Sequence, residues 1–365
     1  MGVTRVSFKG TNDQDFITDL KNKVNRYFEQ NDLSKKADYR MVLKTITLLT
    51  IYFGSYGLII SGAFSWQIML GLCIIMGIGM AGIGFSVSHD ALHGAYSSNK
   101  LINKILGYSF DLLGANGYIW KITHNVVHHT YTNIHEHDED LEVAEFIRLS
   151  PHAEYKNIHK AQHYLAFVAY SFATLFWVFI KDYRYFFKDH LGPYENKSHP
   201  VSEWITLIVT KIIYYSYMLV IPLLVLSITW WQLLIGFLAV HLTAGVILGV
   251  IFQLAHVVEG TDHPTENTEG NIENAWMIHQ METTSDFAHR NKLLCWYIGG
   301  LNYQIEHHLF PKICSIHYPD IAPIVREVAE EHDVPYHYQP TLSAAIASHY
   351  RTLKKFGKSA EVSLA

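Results

Sequence analysis

A chain of 365 residues has room for two soluble domains, yet 49% of its residues are hydrophobic and only 17% charged, a balance that favours a membrane protein. The net charge of −5 is spread without a basic block, which argues against a nucleic-acid partner. Cys73, Cys295 and Cys314 are the only cysteines and show no CxxC spacing, which argues against a disulfide framework or a structural zinc site.

Residues 1–44 are polar, with Phe16, Leu20, Val24 and Phe28 at four-residue spacing, so an amphipathic helix is expected there rather than a secretory signal. No charged residue occurs from Thr45 to Ser88, enough for two spans of about 20 residues joined by a tight turn near 61–66. The stretch 101–120, with Lys104, Asp111 and several glycines, is expected at the membrane interface. So is the apolar run 164–180, because a crossing there would put the histidine clusters before and after it on opposite faces of the bilayer. A second charge-poor stretch, 204–254, carries only Lys211 and splits near 227–230 into two more spans. Lys211 sits about two turns in, where its ammonium is expected to extend back toward the headgroups.

After Pro319, Ile321, Ile324, Val325 and Val328 mark an amphipathic helix, and 344–356 suggest another. With the N-terminal segment these are expected to form a helical cap. Neither short turn holds Lys or Arg, so the positive-inside rule puts both termini and the long polar stretches in the cytoplasm. The expected architecture is a single all-α integral membrane domain over 1–365. It comprises a cytosolic segment 1–44, a hairpin 45–88, a cytosolic and interfacial stretch 89–203, a second hairpin 204–254 and a cytosolic part 255–365.

Histidine is the unusual residue here, with 23 copies, and imidazole is the commonest metal ligand. HDALH places His89 and His93 four residues apart, on one face of a helix. HNVVHH repeats that spacing with His124 and His128, while His129 is turned by about 100° from its neighbour and suits a second ion. QIEHH adds Gln304, His307 and His308 on a helix of roughly ten residues between Gly299-Gly300 and Pro311. His256 leaves the second hairpin at the end corresponding to His89 in the first. These eight imidazoles give about four for each of two metals, and imidazole alone does not choose among iron, copper, zinc and nickel.

Asp90, Asp138, Asp140 and Glu306 are candidates to accept N–H bonds that orient the ligating rings, the aspartates 138 and 140 lying in the acidic run HEHDEDLE. A solvated acidic loop is the plain alternative for that run. His263, His289 and His317 suit surface or structural roles, His241 suits packing within a span, and His279 is the further histidine most worth testing near the site.

The pattern HxxxH, HxxxHH and QxxHH, interleaved with two apolar hairpins, resembles the membrane fatty-acid desaturase family over about residues 45–319. GGLNYQIEHHLFP looks like its front-end branch, in which glutamine replaces the first histidine of the third box; similar bacterial proteins are called linoleoyl-CoA desaturases. The resemblance implies two iron ions held by His89, His93, His124, His128, His129, His307 and His308, with His256 as an additional ligand and Gln304 as a further candidate. It also implies O2 as co-substrate and a cis double bond introduced into a long-chain acyl-CoA or acyl-lipid, on the carboxyl side of an existing one. Many front-end enzymes carry a fused haem domain with an HPGG signature; these residues have none, so electrons are expected from a separate ferredoxin or free cytochrome with its reductase.

The chemistry agrees, since an unactivated methylene has no acidic proton and no Ser-His-Asp pattern is evident, leaving oxidation by a metal and O2. A di-iron hydroxylase or ketolase would share the boxes. A metal transporter would instead hold its ligands near the bilayer midplane, and a membrane zinc hydrolase is a third alternative.

Overall fold

The computed structural model describes residues 5–10, 13–141 and 144–358, and they are mainly helical. Four helices are long and apolar enough to cross a membrane: Tyr39–Ile60, Trp66–Leu92, Val201–Val225 and Trp230–His256. The first begins ahead of the charge-free stretch because Asp38 caps it, its carboxylate accepting from the Arg40 N–H at 2.8 Å. Lys44 is consequently buried inside that helix rather than outside it. The second continues past Ser88 to Leu92, so His89 lies in its last turn. The fourth starts at Trp230 with a reciprocal cap between Thr229 and Gln232, and its last residue is His256.

The second and fourth helices pack along their length. Gly77 makes this possible, since a Cβ there would fall 2.5 Å from the Val240 carbonyl oxygen. Cys73, Met76, Met80, Phe237, Val240 and Ala244 fill the seam, closed on one side by Tyr214 and Met218 of the third helix.

Two expectations for this layer are corrected. Lys211 does not reach toward headgroups: it is buried, donating to the carbonyls of Gly114 (2.6 Å) and Val178 (2.9 Å) and to Asp182 Oδ2 (2.7 Å). In this apolar layer the ammonium has all three N–H groups satisfied and its charge paired with a carboxylate. The apolar run 164–180 is not one interfacial helix. It is divided between Asn157–Ser171 and Ala173–Phe187, bent by 60°. The break falls at Phe172, whose N–H returns to the Ala169 carbonyl in a tightened last turn. Beyond the bend, Thr174 Oγ1 donates to the His241 carbonyl at 2.9 Å, tying the pair to the fourth long helix.

A second helical layer holds the remaining histidines. The helix Gln14–Gln30 buries Phe16, Leu20, Val24 and Phe28, as the four-residue spacing requires. Its apolar face meets Ile321, Val325 and Val328 of the helix Tyr318–Glu331, and Ile305 and Leu309 of the short helix Gln304–Leu309. That short helix has six residues, not ten, because Tyr303 and Phe310 leave helical backbone angles on either side. The helix Leu342–Phe356 lies against the fourth long helix, with the His349 Nδ1 2.7 Å from the Val257 carbonyl. Short parallel strand pairs, Ser7–Phe8 with Asn271–Ile272 and Ser285–Phe287 with His337–Gln339, tie remote parts of this layer together.

Because Leu20 is fully buried under the QxxHH helix, Leu20→Ala is expected to destabilise this layer by about 2–5 kcal/mol. A thermal unfolding midpoint in detergent unchanged from the parent would contradict that packing.

Candidate metal centre

The two layers meet at the ends of the second and fourth long helices, and all eight histidines of the sequence pattern meet there. One ring nitrogen from each of His89, His93, His124 and His307 lies within 4.8 Å of the others. His128, His256 and His308 form a second such group, and His129 forms a third with His307 and His308. Two nitrogens held by one ion at about 2.1 Å each stand at most about 4.2 Å apart, so these spacings are close to those of coordination. His256, the least certain of the eight from sequence, is thus in contact with the third and second boxes, its ring 4.7 Å from His128 and 4.8 Å from His308.

The second box depends on a local departure from α-helix. Residues Lys121–His128 wind as a π-helix, with i to i+5 hydrogen bonding. Residues five apart then come one above the other, and His124 Nε2 stands 3.3 Å from His129 Nε2. In an α-helix the same two residues would diverge. The π turn lets His124 face His89 and His93 while its neighbours at 128 and 129 serve the other groups. Trp120 supports it, stacking on the His124 ring at 4.4 Å between centroids and 23° between planes.

Four of the rings are aimed by a bond at the side opposite the cluster. His128 Nδ1 is 2.9 Å from Asp138 Oδ2, and Asp138 is itself held by the backbone N–H groups of Asn133 and Asp140. His308 Nδ1 is 2.7 Å from the Gln280 side-chain oxygen, which also accepts from Thr132. His307 Nδ1 is 3.2 Å from the Tyr318 hydroxyl, and His256 Nδ1 is 3.3 Å from the Thr283 carbonyl. In all four the opposite nitrogen, Nε2, is buried with no hydrogen-bond partner among the described residues, and so is His93 Nε2. Rings anchored at one nitrogen with the other left bare and inward are what a bound metal requires.

The protonation states agree with this. Burial, reinforced by repulsion between neighbouring imidazoles, holds His93, His124, His129, His307 and His308 far below the usual histidine range, so they are neutral with free lone pairs. His128 is the exception: burial lowers its pKa, but the Asp138 carboxylate more than offsets this and raises it above the ordinary value.

The candidate orienting residues separate. Asp138 touches a ring nitrogen directly. Asp140 Oδ2 stands 3.7 Å from His124 Nδ1, beyond hydrogen-bond reach, and pairs with Lys181 instead at 3.2 Å. Asp90 Oδ1 is 3.5 Å from His89 Nδ1, while its other oxygen accepts from the N–H and hydroxyl of Ser315 and from Cys314, fastening the segment after the third box. Glu306 turns away from the rings to accept from the Tyr336 hydroxyl at 3.0 Å, a hydroxyl also 2.7 Å from Asp286. His279 is buried against the Phe8 ring, and it is its neighbour Gln280 that contacts a ring of the cluster. Gln304 gives its amide to the Leu301 carbonyl at 2.8 Å. Glu142 lies outside the described residues. Gln280, Tyr318 and Thr283 were missed by sequence reasoning, and nothing in their local pattern distinguishes them from ordinary buried residues.

A cavity adjoins the first group, between the second and fourth long helices and the bent pair. His89, His124, His307 and Gln304 stand in its wall together with apolar side chains including Met80, Leu113 and Val178. Met80 precedes His89 by nine residues on one helix, roughly 13 Å along its axis at 1.5 Å per residue.

Comparison with known proteins shows what such a site belongs to. The pattern of the fatty acid desaturase family matches residues 64–340. The chain is 38% identical to an sn-1 linoleoyl-lipid 6-desaturase of Arthrospira platensis, the match covering 93% of this chain and 92% of that protein. It is 35% identical to an enzyme of the same description from Synechocystis, over 98% of this chain and 99% of the other. An acyl-lipid (8-3)-desaturase of Physcomitrium patens is 33% identical over 96% of this chain and 74% of its own length. The chain belongs to the fatty acid desaturase family. It is accordingly an oxidoreductase of lipid metabolism, and front-end desaturases are among the relatives of this desaturase, in keeping with its QxxHH box.

If Gln280 aims the His308 ring, Gln280→Leu lowers metal content and turnover by about 10–100-fold. His279→Gln, one residue away, is expected to have a much smaller effect. Metal analysis of the purified variants alongside product formation checks this, and equal losses in both would contradict the assignment.

Proposed function

We propose that this desaturase holds two iron ions in its histidine groups and uses O2 to convert a –CH2–CH2– unit of a lipid-linked acyl chain into a cis double bond. The observation that carries the proposal is the set of bare inward nitrogens beside an apolar cavity. His89, His93, His124 and His307 would hold one ion, and His128, His256 and His308 the other, with His129 between them. All are imidazole nitrogen donors, which suit iron, and both groups leave room for exchangeable positions. Bound iron with O2 supplies the oxidising power that a C–H bond without an acidic proton demands. Two electrons come from the C–H bonds broken and two from an external donor, so that O2 leaves as two waters.

The chain's own residues do the positioning. Asp138, Gln280, Tyr318 and the Thr283 carbonyl fix the rings, so that little rearrangement accompanies metal binding. Apolar walls at Met80, Phe110, Trp177 and Phe252 exclude water and limit an acyl chain to few orientations, placing one methylene pair beside His89, His124 and His307. The cyanobacterial and moss relatives are named as desaturases of acyl-lipids, which favours an acyl-lipid over an acyl-CoA, with the new bond on the carboxyl side of an existing one.

The four long helices would cross the bilayer as two hairpins of one domain. Their turns, at 61–65 and 226–229, carry no Lys or Arg, which favours placing both termini, the cap and the histidines in the cytoplasm. Electrons would come from a separate ferredoxin or cytochrome. A transporter is disfavoured because the histidines gather at helix ends rather than midway along them.

Expression in a host of defined lipid composition, with double bonds located by mass spectrometry, tests the reading. Acyl chains two hydrogens lighter are expected, and both His128→Ala and His308→Ala should abolish them because an under-coordinated ion is poorly held. An added oxygen in place of lost hydrogens would point to hydroxylation instead.

A further inference from the structure

The third long helix contributes no residue to the wall of the cavity, yet it holds the deep part of that wall in place. Leu113 and Ala115 line the cavity on either side of Gly114, and Val178 lines it from the bent pair. Leu113 and Val178 pack with Met80 in the apolar seam between the long helices, away from the histidines. The backbone carbonyls of Gly114 and Val178 both accept from Lys211 Nζ, whose third N–H goes to Asp182. The same helix presses on the turn from another direction. Gly114 has φ +89°, and a Cβ there would fall 2.8 Å from the Tyr214 ring. Tyr217 donates to the Leu112 carbonyl and is steadied by the Tyr52 hydroxyl at 2.9 Å. One ammonium thus ties two separate pieces of the cavity wall to a helix that does not itself reach the cavity.

We propose that Lys211 is a positioning residue that sets the depth of the acyl cavity, and thereby the acyl-chain length this desaturase accepts, by pinning the Gly114 and Val178 carbonyls. The inference rests on the reading that this cavity holds the acyl chain. With the amine gone, the 112–115 turn and the 178 segment are free to move outward, and the end of the cavity recedes. An ammonium is required for this because only three N–H donors on one atom can hold two carbonyls and a carboxylate together.

The test compares three variants of the full-length protein in membranes, with lipid acyl chains of graded length and product-to-precursor ratios read by mass spectrometry. An apolar pocket discriminates one methylene by about 10–200-fold, so Lys211→Met is expected to raise the preference for a chain two carbons longer by about tenfold. Tyr217→Phe, a milder change, should move it the same way by less and decides the matter if Lys211→Met does not accumulate. Leu113→Phe intrudes on the cavity directly and should shift preference toward shorter chains. A length profile unmoved by Leu113→Phe defeats the cavity reading itself. If Leu113→Phe shifts the profile while Lys211→Met and Tyr217→Phe only lower total activity across all lengths, Lys211 is merely structural and the proposal fails.

Discussion

Seven ring nitrogens of the eight clustered histidines are buried with no hydrogen-bond partner among the described residues, a standing cost to the folded chain of about 1–3 kcal/mol each. Nothing within the described residues offsets that cost. A metal ion would, exchanging unsatisfied lone pairs for coordination bonds, and the rest of the architecture can be understood as the means of bringing the rings together. His89 and His256 are delivered by two long helices whose contact depends on a glycine at position 77. His307 and His308 arrive on a short helix pressed up from the other layer by Phe16, Leu20, Ile321 and Val325.

The electrostatics follow the same constraint. A cluster of imidazoles could not remain together if its members were charged, and burial with mutual repulsion keeps most of them neutral. The one ring whose pKa is raised, His128, has the Asp138 carboxylate beside it, so the positive charge it would otherwise lack support for is compensated from outside the cluster. Charge in the apolar layer is handled equally locally: Lys211 and Asp182 neutralise each other where neither could reach water.

The sequence made some of this legible and not the rest, for physical reasons. Seven of the eight histidines stood out because the HxxxH, HxxxHH and QxxHH spacings carry a helical period, His256 because it leaves the second hairpin, and the four long helices because hydropathy over about 20 residues is a strong signal. The buried face of the N-terminal helix was readable from Phe16, Leu20, Val24 and Phe28. Helix ends were less so, since Asp38 and the last turn at His89 set boundaries that a charge-free window does not mark. The π winding around His124, the 60° bend at Phe172 and the partnering of Lys211 are tertiary outcomes without a local pattern. Gln280 and Tyr318 were invisible for the same reason: their importance comes from which ring they meet, and the acidic residues Asp140 and Glu306 that local chemistry favoured found other partners.

The gathering of the eight rings into adjoining groups that could hold two ions is the point on which everything else turns, and it can be measured directly. Metal analysis and Mössbauer spectroscopy of the purified protein, grown with isotopically enriched iron, should give about two iron ions per chain in two nitrogen-rich environments. A stoichiometry of one ion per chain, or zinc occupying the histidines of the active protein, would contradict it.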